Sequence, residues 1–496
     1  MLDTYPVVTT KQKIKQWIKT CVPGMTPEKA ERYSWPQALL AMGLLQAYEQ
    51  TKDKTALSSV FSYLRRWKNS GYPISHVDHV MNGSVALWTE EILTREKRED
   101  AESLEALWIC REGADICAGW IKAAKKTADG ILAYRSQHPD WLFADTLGML
   151  CPFACRYGVQ KQDKELLNLG IRQLELFFQK GMDEKTGLPY HGYDEKNGTK
   201  YGIIGWGRAC GWMLLGLSQS ILWISEQPAG AEQADKPQAG KTAACPSSRS
   251  VAREGCNRLL LLQQQLLDSV FAWQRPDGGF SWQLQAQEGH RDTSAEGMIG
   301  YSAFLAAERA AVQRSEQWIP ALSRLAAIMQ TSIQKGYVTD CSGECKGFAE
   351  YPQVYGIYPW GSGSALAFLA GKRFKEESKD RAEGSLCPVA GQVRSNSLAG
   401  ISGEQDGKHG KSQICDQKYN IRLFRERGND AAQFYPAAGV YHPSGRHASG
   451  RAGSLQRNSD DAFPCGAWRR NCFKLQPVRS GSAGRTGKNQ ILHAAV

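Results

Sequence analysis

The chain has 496 residues, 42% hydrophobic and 22% charged, enough apolar material for one large domain or several ordinary ones. No stretch approaches ~18 uninterrupted apolar residues, which argues against a membrane span, and Met1 to Lys19 lacks the apolar run of a signal peptide. The formal net charge of +11 is not spread evenly: residues 373–496 hold 20 Lys/Arg and 11 Asp/Glu, and residues 1–372 hold 41 and 39, so the nearly neutral body gives no reason to expect a nucleic-acid partner.

Taken in chain order, apolar residues at i, i+3, i+4 and i+7 predict helices over 10–20, 35–50, 54–68, 79–95, 102–125, 144–157, 163–180, 207–224, 257–274, 293–311, 317–335 and 361–371. Strand signals are short and lie between helices. Ile131 to Tyr134 and Phe280 to Trp282 read as small hairpins following Asp-Gly turns. A stretch at about 226–255, rich in Ala, Gly, Gln, Ser and Pro and without apolar period, reads as a disordered insertion. From 373 to 496 helical period is lost and Gly, Ser, Arg, Gln and Asn dominate. That tail is expected to be a weakly folded extension or an out-of-frame reading, the second being favoured because the change falls inside the expected last helix.

A glycine turn followed by a polar, aromatic stretch and then an apolar helix recurs four times. The copies are Asp129-Gly130 leading to Asp145, Thr186-Gly187 to Trp206-Gly207-Arg208, Asp277-Gly278 to Asp292, and Ser342-Gly343 to Trp360. The turn glycines are 57, 91 and 65 residues apart, and removing the insertion brings the middle interval close to the others. A period near ~60 fits two helices and a long loop, so about twelve helices make six hairpins. Long, uneven, aromatic loops favour closure into an α/α toroid with the loops crowning one rim, over an open helical solenoid. The 15 Trp and 18 Tyr supply flat walls of the kind that hold sugars, although many must fill helix interfaces. The 14 Cys are scattered, mostly in apolar helical contexts. Cys341 and Cys345 alone have possible ligand spacing and no zinc set is completed, so a cytoplasmic protein without metal is expected.

Three segments carry candidate chemistry. In His138-Pro139-Asp140-Trp141-Leu142-Phe143-Ala144-Asp145, the last residue opens an apolar helix, where Asp is ordinarily a cap. At the apolar mouth of a funnel it is also a general acid and base candidate. Asp78, in His76-Val77-Asp78-His79, has the same two readings. Tyr190-His191-Gly192-Tyr193-Asp194 precedes Trp206-Gly207-Arg208-Ala209-Cys210-Gly211-Trp212. Arg208 is there either a fork for a carboxylate or a structural Arg stacked on Trp, and His191 alone is ordinarily a loop hydrogen bonder.

Together these segments resemble family 105 of the glycoside hydrolases, the unsaturated rhamnogalacturonyl hydrolases, with the family 88 unsaturated glucuronyl hydrolases a more distant likeness. The resemblance runs over roughly residues 10–371 and rests on Val77-Asp78-His79-Val80, the Trp141 to Phe153 helix start, Tyr190 to Asp194 and Trp206 to Trp212. It implies an all-α (α/α)6 barrel over residues 1–372, in agreement with the repeat reading. By motif, Asp145 corresponds to the catalytic aspartate and Asp78 to a second active-site carboxylate. His191, Arg208, Trp212 and Trp206, with His138 and Trp141, correspond to substrate-binding positions, and Asp292-Thr293-Ser294 matches a later loop of unassigned role.

The implied substrate is a lyase-generated disaccharide or short oligosaccharide whose non-reducing uronic acid carries a C4=C5 double bond, and the implied chemistry is hydration of that enol ether without cofactor or metal. The insertion and the missing regular C-terminal segment depart from the pattern and put stability and activity in question. An inverting glucosidase or a sugar epimerase on the same toroid is the rival enzyme. A non-catalytic carbohydrate-binding toroid or an inactive remnant is the rival from another class.

Overall fold

Two kinds of helix alternate along the chain, one with a single apolar stripe and one buried on every side. The computed structural model describes residues 11–25, 33–135, 138–225, 248–308 and 315–371, all within the compact unit Met1–Gln392. Among the described residues there are twelve α-helices: α1 (Lys11–Cys21), α2 (Trp35–Thr51), α3 (Lys54–Asn69), α4 (Val77–Arg95), α5 (Ala101–Ala123), α6 (Asp145–Gln160), α7 (Lys164–Lys180), α8 (Gly207–Ser225), α9 (Ser248–Phe271), α10 (Thr293–Glu308), α11 (Ser315–Thr331) and α12 (Pro359–Gly371). The even-numbered helices pack each on the next, and α12 returns to α2, so they close into an inner ring. The odd-numbered helices lie outside it. The fold is therefore an (α/α)6 toroid, as expected from the repeat. No described helix is long and apolar enough to cross a membrane.

Sequence explains the division. α3 buries Ala56, Leu57, Val60, Phe61, Leu64 and Trp67, one face of a 3.6-residue period, while α2 buries every residue from Gln37 to Tyr48. Outer helices α3, α5 and α7 begin on aspartates that cap in the ordinary way: Asp53 accepts from the Thr55 amide, Asp100 from Ser103 and Asp163 from Leu166. The inner ring closes tightly because glycine lets backbones touch. A Cβ on Gly363 would lie 2.5 Å from the Leu39 carbonyl oxygen, and one on Gly43 would overlap the Gly363 carbonyl.

The strands belong to the loops at the N-terminal ends of the inner helices. β1 (Trp141–Phe143), β2 (Gly192–Asp194) and β3 (Thr199–Tyr201) form an antiparallel sheet in that order, with Phe143 opposite Gly192 and Gly192 opposite Tyr201. β4 (Ile333–Gln334) pairs with β5 (Tyr337–Val338), and β6 (Cys341–Ser342) with β7 (Tyr355–Gly356). The hairpins expected at Ile131 to Tyr134 and Phe280 to Trp282 are not strands. Each region makes only isolated bridges, Lys126 to Leu132 and Ser281 to Arg291, because its polar turn is anchored by side chains rather than by a ladder. The region after 225 also differs from expectation: α9 begins at Ser248, so residues 248–255 are helical. Ala252, Cys256 and Leu259 form its buried stripe, and small first members conceal the period in sequence. The remainder of the expected insertion, 226–247, and the tail from 372 onward lie outside the described residues.

Candidate active site

The sheet brings together two residues distant in sequence. Ala144 donates its amide to the His191 carbonyl at 2.9 Å, which fixes the end of β1 beside the start of β2 and sets His191 against the first turn of α6. Asp145 is the first residue of that helix, and its Oδ2 lies 3.1 Å from His191 Nε2. The imidazole is 1% exposed, enclosed by Phe143 at 5.1 Å, Trp206 at 4.5 Å and Phe348 at 5.4 Å between ring centres. Burial alone would lower its pKa, but the hydrogen bond and charge of Asp145, aided by the Cys345 thiol, raise it to about 9. At neutral pH the two residues therefore hold a proton between them.

Asp145 does not cap its helix. The cap position is Ala144, whose side chain has no oxygen, and the carboxylate turns instead to His191. Asp78 sits likewise within the first turn of α4, and its Oδ1 is buried with no hydrogen-bond partner. Both carboxylates act electrostatically on the Tyr134 hydroxyl: burial pushes its pKa well up, and Asp78 and then Asp145 push it further. Tyr134, which lines a pocket with Asp145, thus feels both charges.

Above this site runs a strap, residues 341–358, closed at its base by the β6–β7 pair. Arg208, at the start of α8 and 1% exposed, donates from Nη1 to the Ser342 carbonyl at 3.0 Å and from Nη2 to the Gly343 carbonyl at 2.8 Å. Its guanidinium lies 4.8 Å over the Trp206 ring. Burial opposes the Arg208 charge, but Asp292 foremost, then Cys345, Cys341 and Asp145, keep its pKa above the usual value. Asp292 is the cap of α10: its Oδ1 accepts from the Ser294 amide at 3.0 Å and hydroxyl at 2.6 Å, and also from the Ser342 amide at 3.0 Å. The Asp292-Thr293-Ser294 segment, without a role in sequence, thereby ties the strap to the toroid. Trp360 Nε1 adds a bond to the Ser342 carbonyl at 3.1 Å.

The strap roofs a pocket lined by Trp35, Tyr134, Arg135, Phe143, Asp145, His191, Trp206, Arg208, Trp212, Glu344, Cys345 and Gly347. Trp212 packs edge-on to Trp35 at 5.7 Å to make one wall. Of the residues singled out in sequence, Asp145, His191, Arg208, Trp206 and Trp212 line this pocket and Asp78 is within electrostatic reach of it. His138 and Trp141 do not line it. They stack on each other at 4.1 Å, and Trp141 leans on Phe348 at 5.3 Å, outside the aromatic layer. Cys341 and Cys345 serve different surroundings: Cys341 is buried against Gly361, whereas Cys345 faces the pocket.

Sequence reasoning missed Trp35, Tyr134, Arg135 and the whole strap lining. Only the Ser342-Gly343 turn signalled the strap, as the fourth copy of the repeat.

The comparisons with known proteins bear on the toroid that carries this pocket. Residues 9–240 match the model of Glycosyl Hydrolase Family 88. Beyond the family 88 match, the chain is 22% identical over 189 residues to the unsaturated rhamnogalacturonyl hydrolase YesR of Bacillus subtilis (strain 168), an alignment covering 38% of this chain. It spans 53% of that protein, about half the length of the curated relative. Among solved structures, a possible member of family GH105 from Klebsiella pneumoniae subsp. pneumoniae MGH 78578 superposes with a TM-score of 0.60 at 14% identity, over 73% of this chain and 93% of that one. The family 105 glycoside hydrolase of C. acetobutylicum ATCC 824 gives 0.55 at 16%, over 73% and 98%. The unsaturated glucuronyl hydrolase of Bacillus sp. GL1 gives 0.54 at 15%, over 73% and 97%. The described body thus has the (α/α)6 fold of proteins labelled with families 88 and 105.

Proposed function

We propose that the protein is a glycoside hydrolase that removes a 4,5-unsaturated uronic acid from the non-reducing end of lyase-generated oligosaccharides. The observation that carries this reading is Asp145: a carboxylate at a helix start that leaves capping aside, holds a proton with His191, and opens onto an aromatic pocket. In this scheme the His191–Asp145 proton moves to Asp145, which protonates C4 of the enol ether, leaving a cation at C5 stabilised by the ring oxygen. Asp145, again a carboxylate, takes a proton from the water that adds at C5. The resulting hemiketal opens and releases the remaining sugar, so a single proton leaves the pair and a single proton returns. Asp78 orients the water or substrate. Ordinary glycosidases instead need two carboxyl groups set across the scissile bond.

The inner helices α6 and α8 present their N-terminal ends to the pocket, an environment that favours the uronate carboxylate. Arg208 supports it through its charge, with Nη1 and Nη2 already bonded to the strap, while Trp206 and Trp212 give the sugar flat faces. The likeness to YesR supports rhamnose as the following sugar and pectic rhamnogalacturonan as the source. A reducing, cytoplasmic location is part of the proposal, supported by the free thiols of Cys21, Cys110, Cys117, Cys151, Cys155, Cys210, Cys341 and Cys345. The test is loss of the ultraviolet absorbance of the conjugated uronide. Unsaturated galacturonyl-rhamnose should lose it with the wild-type chain and keep it with Asp145→Asn. Turnover surviving that substitution would sink the assigned role, and no turnover of any unsaturated disaccharide would favour an inactive toroid.

A further inference from the structure

Glu344 lines the pocket but has no part in the scheme above. Asp145, His191 and Arg208 are buried, whereas Glu344 is exposed, so it stands at the mouth. Its backbone is held on both sides. Arg208 grips the preceding carbonyl, that of Gly343, at 2.8 Å. Further along the strap, Phe348 stacks on Phe143 with ring centres 4.0 Å apart, and the Tyr351 hydroxyl lies 2.8 Å from His191 Nδ1. The strap's next charges, Lys346 and Glu350, pair with each other at 3.1 Å and do not line the pocket. Glu344 is therefore the charge that the strap brings to the opening.

The charges around the pocket suit a ligand with one negative group. Asp145 and His191 share a proton, so together they are neutral whichever holds it. At the mouth, Arg135 and Glu344 have opposite signs and offset each other. Arg208 and the N-terminal ends of α6 and α8 remain as the positive part of the lining, enough for one uronate carboxylate held inside. Asp292, foremost among the charges acting on Arg208, already moderates it. A second anion, on the next sugar, would find Arg135 offset and would face Glu344. An ionised carboxylate only accepts hydrogen bonds, so it takes the hydroxyl hydrogens of a neutral sugar and repels a sulfate or another carboxylate.

We propose that Glu344 sets the charge class of the sugar that follows the uronate: it accepts hydroxyls of a neutral sugar at the mouth and excludes one bearing a sulfate or carboxylate. This selection rests on the function proposed above for the ring inside the pocket. Because Glu344 meets water, it acts as a screened charge, worth roughly five-fold in affinity per added anionic group.

Two ligands that differ in one charge test it. Unsaturated galacturonyl-rhamnose is reduced to its rhamnitol or oxidised to its rhamnonate, so both have an open chain after the uronate and only the second gains a carboxylate. Turnover is read by the uronide absorbance. Binding is read on Asp145→Asn by tryptophan fluorescence, since Trp35, Trp206 and Trp212 line the pocket. The rhamnitol should be preferred about five-fold or more, in kcat/KM and in Kd. Glu344→Gln should bring the two ligands within about two-fold, chiefly by improving the rhamnonate, and Glu344→Asp should keep the preference. Added salt should shrink the preference where residue 344 is acidic and leave the Gln variant unmoved.

Equal handling of the two ligands by the native chain, a preference that survives Glu344→Gln, or one that salt does not shrink overturns the proposal. Equal turnover of both leaves the hydrolase standing and removes Glu344 from it. Preferential binding of the rhamnitol without turnover of either removes the hydrolase and leaves Glu344 in place. Binding of neither overturns both. Should Glu344→Gln fail to fold, the salt dependence of the native chain and Glu344→Asp decide.

Discussion

Replacing Asp145 by Asn should reverse the way stability depends on pH near neutrality. In the native protein His191 has a pKa of about 9 against an ordinary 6.5, so the folded state binds its proton more tightly than the unfolded chain does. The contribution is fully present below about pH 6.5 and is lost as pH rises through about 9. At 1.36 kcal/mol per unit, the shift corresponds to about 3 kcal/mol for this buried ring. The Asp145→Asn substitution would leave the burial and remove the charge, so the imidazole pKa should fall below its ordinary value. The variant would then lose stability as pH drops below about 6.5, where the unfolded chain takes up a proton the buried ring resists. Urea titrations of both chains from pH 5.5 to 10 isolate the effect, because every other titrating group is shared. The difference in unfolding free energy should be largest at the acid end and shrink by at least about 3 kcal/mol toward pH 10. Parallel curves across that range would refute the ion pair and with it the shared proton.

Arg208→Lys should loosen the strap, since an ammonium cannot make both bonds to the Ser342 and Gly343 carbonyls. A loss of about 2–3 kcal/mol and faster amide exchange across 341–358 are expected. Asp78→Asn should abolish most turnover, about 100-fold in kcat by the absorbance assay. Its melting temperature should hold or rise, because Asp78 Oδ1 is buried with no partner in the native state. Gly363→Ala should destabilise the toroid by about 1–3 kcal/mol in urea unfolding, because its Cβ would meet the Leu39 backbone 2.5 Å away.

The twelve helices were legible because period and punctuation agree: α3, expected at 54–68, runs Lys54–Asn69 with Asp53 as its cap. The loops were less so. β6 and β7 are two residues each, too short for any alternation to register, and the Tyr351–His191 bond joins residues 160 apart. Arg208 was open between stacking on Trp and gripping a carboxylate. It does stack on Trp206, and its fork grips carbonyls of the chain itself.

Asp145 is the instructive case, because the local rule pointed the wrong way for a definable reason. A capping aspartate stands just outside the helix with extended backbone, as Asp53 (ψ 108°), Asp100 (ψ 151°) and Asp163 (ψ 95°) do. Before Asp145, Ala144 already has helical angles, φ −58° and ψ −31°, so the aspartate is inside the first turn with its side chain directed away from the free amides. One residue of phase separates the two outcomes, and sequence alone does not resolve it. The phase is set by the Ala144 amide bonding to the His191 carbonyl, a contact made by the sheet between distant loops. The same bond that denies the helix its cap delivers the carboxylate to the imidazole, so the departure from the local rule and the assembly of the site are one event.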